Sequence, residues 1–179
     1  VRYSYIEPKE TFETNILGSL NILESVRKIN TIKSTVIITT DKVYDISKNK
    51  VFKETDTLGG LDPYSSSKVS CEYLFSCYIN SFFKNNTKQR LATVRAGNVI
   101  GGGDYSKDRL IPDIMLTIKK RNKIILRNPS STRPWQYVLE PLSGYLMLAE
   151  KLFKNEKKIQ NLKQNWNFGP ELSNCKSTN

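Results

Sequence analysis

The hexapeptide Thr35-Val36-Ile37-Ile38-Thr39-Thr40 is rich in β-branched residues and shows no alternation of polar and apolar side chains. A second run of this kind, Leu91-Ala92-Thr93-Val94-Arg95-Ala96, lies further along the chain. Short runs without alternation are typical of parallel strands that are buried on both faces. The two runs therefore predict two strands inside a parallel sheet.

Helical patterns alternate with these strands. Apolar residues recur at helical spacing over residues 8–30, where Phe12, Ile16 and Leu20 lie on one stripe. Further helices are predicted over residues 63–83, 108–120 and 140–153, and further strands over residues 124–126 and 166–168. The alternation of helix and buried strand indicates an α/β fold built on a doubly wound parallel sheet.

The composition limits the possible chemistry. The chain of 179 residues is 38% hydrophobic and 25% charged, which is typical of one globular domain with its own core. Histidine is absent, so histidine-based zinc sites, Ser-His-Asp hydrolysis and Cys-His proteolysis are excluded. The cysteines Cys71, Cys77 and Cys175 show no metal-ligand spacing, and their odd number suits a reducing cytosol. We therefore expect a cytoplasmic protein without a metal, whose acid–base chemistry comes from Tyr, Lys, Asp or Glu.

The formal net charge is +11, with lysine-rich stretches at residues 84–90, 119–123 and 151–163. A nucleic-acid surface is one interpretation. Solvated helix ends and loops are favoured, because the basic residues are spread over several elements without an aromatic ladder or a recognition helix. A basic pocket for a small anionic substrate fits the charge equally well. We expect no nucleic-acid partner, and no membrane partner either, since no apolar run approaches the ~20 residues of a membrane span.

The segment Asp62-Pro63-Tyr64-Ser65-Ser66-Ser67-Lys68 combines helix-start signals with a possible acid–base pair. Asp62 suits the N-cap and Pro63 the first turn of a helix. Tyr64 and Lys68 are four residues apart and so share one helix face. An ammonium beside a phenol favours the phenolate, which can act as a general base. The spacing alone indicates little, because most such pairs are a packed ring and a solvated amine.

Two further motifs follow the predicted strands directly. Thr40-Asp41-Lys42 comes at the end of the first strand, and Gly97-Asn98-Val99-Ile100-Gly101 follows the second. In an open parallel sheet, ligands bind outside the carboxyl ends of the strands. We therefore expect both motifs and the helix start at Tyr64 to face one crevice.

The order of these motifs resembles the extended short-chain dehydrogenase/reductases, and most closely their NAD-dependent sugar-nucleotide dehydratases, the CDP-glucose 4,6-dehydratases. The resemblance runs over residues 1–170. It rests on Thr40-Asp41-Lys42-Val43-Tyr44, on residues 97–104, on Asp108-Arg109-Leu110-Ile111-Pro112-Asp113, on Arg127-Asn128-Pro129 and on residues 132–146. The pair Asp41-Lys42 is diagnostic, since the related dTDP-glucose dehydratases have Asp-Glu there.

The resemblance implies a partial Rossmann-like sheet over residues 1–100, which carries the catalytic residues and binds NAD. Residues 101–179 are then an incomplete substrate-binding subdomain with an interleaved strand and helix. The implied reaction is the dehydration of CDP-glucose to CDP-4-keto-6-deoxyglucose for deoxysugar and O-antigen biosynthesis. The implied partners are the nucleotide-sugar substrate and further copies of the chain, in a homodimer or tetramer.

The resemblance also implies a role for each motif residue. Tyr64 takes the proton of the 4-hydroxyl while Thr40 hydrogen-bonds the same oxygen. Lys42 takes the proton from carbon 5, and Asp41 protonates the leaving 6-hydroxyl. Lys68 holds the nicotinamide ribose together with the tyrosine.

Four other residues are implied as ligand contacts. Val99 borders the nicotinamide, and Asn98 contacts the sugar or its phosphate. Arg133 and Arg109 contact the pyrophosphate, for which a guanidinium is a good fork. The alternatives are that Asn98 is a plain turn residue and that Arg133 forms an ordinary surface ion pair.

One feature of the family is missing from the sequence. The glycine-rich turn that carries the cofactor pyrophosphate is absent, because Gly101-Gly102-Gly103 comes late in the order and has the wrong spacing. We therefore expect the chain to need an N-terminal half of the same enzyme, without which one edge of the sheet is unpaired. The alternative is an inactive gene fragment or a non-enzymatic remnant.

Overall fold

The computed structural model describes residues 1–45, 47, 50–86, 88–126, 128–154 and 164–177. Its helices are α1 (Arg2–Ile6), α2 (Pro8–Phe12), α3 (Gly18–Lys28), α4 (Pro63–Tyr78), α5 (Leu110–Lys119) and α6 (Leu139–Lys154). Its strands are β1 (Ser34–Ile38), β2 (Arg90–Ala96), β3 (Val99–Ile100), β4 (Thr132–Pro134), β5 (Gln136–Tyr137), β6 (Asn165–Phe168) and β7 (Cys175–Ser177). Arg127 of the sequence motif and residues 155–163 of the last lysine-rich stretch lie outside the described residues.

The three longer strands form one parallel sheet in the order β1-β2-β6. Strand β2 lies in the middle, with Val36 of β1 opposite Ala92 and Trp166 of β6 opposite Val94. The predicted parallel pairing of the two β-branched runs is confirmed, and so is the strand at residues 166–168.

Burial differs between the two predicted central strands. Residues 91–95 of β2 are all buried, as predicted. Strand β1 is only partly buried, and the side chain of Ile38 is 54% exposed. Burial of β1 on both faces is therefore a wrong prediction. Within the described residues, β1 pairs with β2 alone, so its outer edge lacks the neighbour that would cover it.

Helices cover both faces of strand β2, whose side chains alternate between two clusters. Leu91 belongs to a cluster with residues of α3, α4 and the segment after α4: Leu23, Val26, Phe75, Tyr78, Ile79 and Phe83. Ala92 and Val94 pack with Leu148 and Leu152 of α6. This arrangement confirms the doubly wound α/β fold.

Two long helical segments contain π-helical turns. Helices α2 and α3 join through the turn Glu13–Leu17, and α4 continues into the turn Ile79–Phe83. The start of α4 is as predicted: Pro63 occupies its first turn, and Asp62 caps it by accepting a hydrogen bond from the Ser65 N–H at 3.0 Å. The sequence patterns therefore predicted both helical segments but not the irregular turns within them.

The short strands were not predicted. Strand β3 lies inside the glycine-rich turn and pairs in parallel with β5, while β7 pairs antiparallel with β4. Conversely, residues 124–126 form no strand, so that prediction is wrong. Among the described residues this apolar segment has no pairing partner, and Ile125 is 82% exposed.

The described chain separates into two compact units. The first comprises residues 1–96 and 143–168, and the second comprises residues 97–142 and 169–179. The assignment of catalytic and substrate-binding domains on either side of residue 100 stays a prediction. In the described part of the chain, no helix has the length and apolar character needed to cross a membrane.

Candidate active site

The motif Thr40-Asp41-Lys42 forms a tight turn directly after strand β1. Asp41–Val43 is a 3₁₀ turn whose N-cap is Thr40. The Thr40 hydroxyl accepts a hydrogen bond from the Lys42 N–H at 3.4 Å and donates one to Asp41 Oδ1 at 3.1 Å. The turn therefore holds the Thr40 hydroxyl in contact with the Asp41 carboxylate at the carboxyl end of the strand.

The turn lies against the start of helix α4, where Asp62 is the cap. Burial raises the pKa of the Asp62 carboxyl, but hydrogen bonds from Ser65 and the backbone, together with the charge of Lys42, hold this pKa below its ordinary value. The Lys42 ammonium thus acts on the residue that precedes helix α4. The structure brings the Thr40–Lys42 motif and the helix start together.

Tyr64 occupies the first turn of helix α4, and Lys68 lies one turn further along. Both side chains are half-buried. Tyr64 borders a cleft of about 250 Å³ within the first unit. The cleft is lined by Val1, Tyr3, Ser4, Glu10, Thr11, Thr14, Asn15 and Tyr64. The phenol therefore stands beside a space that can accept part of a ligand.

Asn15 fixes the helix that carries Tyr64. It lies in the π-helical turn, and its Nδ2 donates to Ser67 Oγ at 2.8 Å. Ser67 Oγ in turn donates to the Tyr64 carbonyl at 2.7 Å, and the Cys71 thiol donates to the Asn15 carbonyl at 3.2 Å. These contacts give Asn15 a structural role.

Glu72 and Arg95 form a buried ion pair that the sequence analysis did not identify. Arg95 Nε and Nη2 donate to the two Glu72 carboxylate oxygens, each at 2.8 Å. Burial raises the pKa of the Glu72 carboxyl, but Arg95 and the hydroxyls of Thr39 and Thr93 hold it below its ordinary value. Glu72 likewise raises the pKa of the Arg95 guanidinium against the effect of burial. The available signal was a charged residue inside the apolar run of β2.

The predicted ligand contacts belong to the second unit. The Asn98 carbonyl accepts a hydrogen bond from the Gln136 N–H at 3.0 Å, and Val99 is 43% exposed on strand β3. Arg109 is the N-cap of helix α5 and Arg133 lies on strand β4, both exposed. Their grouping with Tyr64 around one ligand stays a prediction.

The first unit therefore carries the Thr40 hydroxyl, the Asp41 carboxylate and the Lys42 amine at one turn. This turn packs against helix α4, whose first two turns carry the Tyr64 phenol and the Lys68 amine. These groups can take up and release protons without histidine. Among the residues that the structure describes, no three Cys, Asp or Glu side chains group together as metal ligands do.

The sequence matches a family model and several known proteins. The family model described as GDP-mannose 4,6 dehydratase matches residues 1–167. The CDP-glucose 4,6-dehydratase of Salmonella typhimurium (strain LT2) is 48% identical over 183 residues, covering 99% of this chain and 50% of that protein. The chain thus spans about half the length of the curated relatives it matches.

Solved structures share the fold. The dTDP-glucose 4,6-dehydratase of Bacillus anthracis, solved in complex with NAD, superposes with a TM-score of 0.75 at 26% identity, covering 93% of this chain and 49% of that one. A UDP-glucuronic acid 4-epimerase from Bacillus cereus, in complex with UDP-glucuronic acid and NAD, gives a TM-score of 0.73 at 21% identity, covering 89% of this chain and 47% of that one. The second likeness shows the fold alone.

Proposed function

Because this chain belongs to the GDP-mannose 4,6-dehydratase family, we propose that it carries the catalytic residues of an NAD-dependent enzyme that dehydrates CDP-glucose to CDP-4-keto-6-deoxyglucose. The observation that carries the residue roles is the packing of the Asp41–Val43 turn against helix α4, whose first turn carries Tyr64. The choice of CDP-glucose rests on the similarity to the Salmonella enzyme.

In this proposal Tyr64 is the first base. Its phenolate accepts the proton of the sugar 4-hydroxyl, and the Thr40 hydroxyl hydrogen-bonds the same oxygen. Lys68, one turn along helix α4, contributes the positive charge that favours the phenolate. The position of Tyr64 at the border of the cleft supports this role, since the proton acceptor must reach the substrate oxygen.

The turn after strand β1 carries out the elimination. Once carbon 4 is a ketone, the proton on carbon 5 is acidic, and Lys42 takes it as the base. The protonated Asp41 carboxyl gives its proton to the 6-hydroxyl, which leaves as water. The adjacency of these two residues in one 3₁₀ turn suits a pair that acts on neighbouring carbons.

The residues present fit a nicotinamide cofactor. Tyr64 and Lys68, one turn apart on helix α4, offer a phenol and an ammonium to the nicotinamide ribose, and Val99 borders the nicotinamide in this proposal. When bound, NAD supplies the acceptor for the hydride of carbon 4 and the donor that reduces carbon 6.

The second unit holds the nucleotide sugar. The exposed guanidinium groups of Arg109 and Arg133 are accessible to an anion, and their fork geometry matches pyrophosphate oxygens. Asn98 contacts the sugar or its phosphate. The net charge of +11 favours an anionic substrate in general terms. The active assembly includes an N-terminal NAD-binding segment and forms a homodimer or tetramer.

The test uses a chimera in which this chain is joined to the part of the Salmonella enzyme outside the matched region. The chimera is incubated with NAD and CDP-glucose in D₂O, and the product is analysed by mass spectrometry and NMR. We expect loss of one water from the sugar nucleotide. We also expect deuterium at carbon 5, because the proton taken from that carbon is replaced by one from the solvent once hydride has reached carbon 6. CDP-glucose that carries deuterium at carbon 4 should yield a product with that deuterium at carbon 6.

The matched control substrate is dTDP-glucose. If a folded chimera that binds NAD leaves both sugar nucleotides unchanged, the dehydratase assignment is wrong. If it dehydrates dTDP-glucose in preference to CDP-glucose, the reaction class stands and the nucleotide assignment is wrong.

A further inference from the structure

The ion pair between Glu72 and Arg95 is buried in the first unit. Glu72 is 2% and Arg95 3% exposed. Taking both charges out of water is costly, and an apolar pair of similar volume is often no less stable. What a bidentate pair adds is a fixed relative orientation of the elements it joins. The helix, strands and turn that the pair joins therefore indicate which parts of the site it positions.

Glu72 connects the pair to the proposed catalytic helix. It lies one turn after Lys68 and two turns after Tyr64, so the three side chains follow one stripe of helix α4. Additional hydrogen bonds to the Glu72 carboxylate come from the side chains of Thr39, Thr93 and Asn165. The carboxylate is thus held by strands β2 and β6 and by the end of β1.

The same pair binds the Thr40-Asp41-Lys42 turn on both sides. Thr39, directly before the turn, donates its hydroxyl to Glu72. Tyr44, directly after the 3₁₀ turn Asp41–Val43, accepts a hydrogen bond from Arg95 Nη1 at 2.8 Å. The turn is therefore anchored at its beginning to the carboxylate and at its end to the guanidinium.

The Tyr44 hydroxyl extends this anchor to strand β6. It donates to Asn167 Oδ1 at 2.6 Å, and the Asn167 N–H donates to Glu54 at 3.0 Å. The Tyr44 ring is 3% exposed and stacks on Phe52 with a centroid distance of 4.8 Å. The ring is held by packing, while its hydroxyl contributes only hydrogen bonds.

We propose that Glu72, Arg95 and Tyr44 are positioning residues that set the place of Asp41 and Lys42 relative to Tyr64. This inference rests on the proposed function and deepens it. None of the three needs to touch the substrate. Their effect passes through the turn, so it falls on the elimination across carbons 5 and 6 more than on the oxidation at carbon 4, for which Tyr64 is the base.

Tyr44→Phe in the chimera defined above tests the proposal, because it deletes the hydroxyl and keeps the stacked ring. We expect kcat to fall about ten- to a hundredfold with the KM for CDP-glucose unchanged, as misplaced reacting groups do. Because elimination is slowed after oxidation, the absorbance of reduced nicotinamide should build up during turnover.

The matched control is Tyr78→Phe. Tyr78 is also a buried tyrosine of the first unit, and its hydroxyl donates to Glu24 at 2.7 Å. Its loss should lower stability without changing kcat or the nicotinamide signal. Equal effects of the two substitutions on turnover, or a Tyr44→Phe variant that turns over normally, would overturn the proposal.

A second readout does not depend on activity. Burial raises the pKa of Asp62, hydrogen bonds from Ser65 and the backbone lower it, and the Lys42 charge adds a smaller decrease. A turn displaced from helix α4 should therefore raise this pKa slightly, which NMR titration of the carboxyl can follow. We expect the rise in Tyr44→Phe and not in Tyr78→Phe. An unchanged Asp62 pKa in Tyr44→Phe would overturn the positioning role, whereas a wild-type chimera that ignores CDP-glucose would overturn only the proposed function.

Discussion

Tyr64 is the residue on which the proposed chemistry depends most directly. Tyr64→Phe keeps the ring at the cleft and removes the group that accepts the 4-hydroxyl proton. We expect turnover of CDP-glucose to fall about 10²- to 10⁴-fold, the usual contribution of a general base, while substrate affinity stays the same. Single-turnover kinetics and calorimetric titration with CDP-glucose measure the two quantities.

Tyr73→Phe is the control for that substitution, since Tyr73 lies on the same helix with 60% of its surface exposed. It should leave both turnover and affinity unchanged. Near-normal turnover in Tyr64→Phe would show that Tyr64 is not the base. The first proton acceptor would then be a residue of the turn after β1.

Single residues also mark the limit of what the sequence could predict. Asp62 and Pro63 have local effects, so their roles as cap and first-turn residue followed from their identities. The pairing of Glu72 with Arg95 did not, because the two residues meet only after helix α4 has packed on strand β2. A motif reports which residues are present, but the contacts between distant segments depend on packing.

At the scale of elements, the ion pair between Glu72 and Arg95 joins helix α4 to strand β2. Its contribution to the free energy of unfolding depends on pH. The Glu72 pKa is held below its ordinary value of 4.5, so the pair stabilises the fold above that pH. This stability is lost as the pH falls through the lowered native pKa. Glu72→Gln removes the charge and leaves Arg95 uncompensated, which should cost about 3–5 kcal/mol at neutral pH.

Urea unfolding of the chimera at neutral pH and at about pH 4 measures this effect. The wild-type free energy of unfolding should decrease toward the lower pH more than that of Glu72→Gln. If the free energy of unfolding decreases equally with pH in the two proteins, the titration of Glu72 is not the cause of the pH dependence.

A second element-scale prediction concerns helix α6 and strand β6. A Cβ added to Gly144 would lie 2.1 Å from Phe168 Cε1, whereas Gly18 in helix α3 has no atom within 4 Å of such a Cβ. Gly144→Ala should therefore destabilise the fold by about 1–3 kcal/mol through overpacking. Gly18→Ala should instead stabilise it by about 0.4–1 kcal/mol. Thermal unfolding of both variants compares them, and a neutral Gly144→Ala would mean that helix α6 shifts freely on the sheet.

The elements that the sequence predicted are those long enough to carry a signal of their own. The two β-branched runs are recognised by composition and lack of alternation, the helix at residues 8–30 by its apolar stripe and the helix at residues 63–83 by its start signals, and the structure has a strand or helix at each of them. Strands β3, β4, β5 and β7 have two or three residues each. Such segments contain no period, and only their partners define them as strands.

At the scale of the whole molecule, the exposed edge of strand β1 should govern the behaviour of the 179-residue chain in solution. In the described structure β1 is paired on one side, and an unpaired apolar edge favours association with other chains. Ile38→Lys adds a charge at this edge and should slow aggregation, as followed by light scattering over time.

Leu61→Lys is the matched control, because Leu61 is 86% exposed outside the sheet and the substitution changes the net charge equally. It should leave the aggregation rate near that of the wild type. If both substitutions slow aggregation to the same extent, the net charge of the chain is responsible and the edge of β1 is not.

The π-helical turn Glu13–Leu17 makes the helix around Asn15 sensitive to chain length. In a π-helical turn the hydrogen bonds run from residue i to i+5 rather than i+4, so the turn accommodates an extra residue between two regular segments. Deleting one residue there would restore an uninterrupted α-helix and rotate Asn15 away from Ser67. An insertion or deletion of one residue, which a surface loop would tolerate, should therefore break the contact between Asn15 and Ser67 at this point. The number of residues in the helix is as constrained as the identity of its side chains.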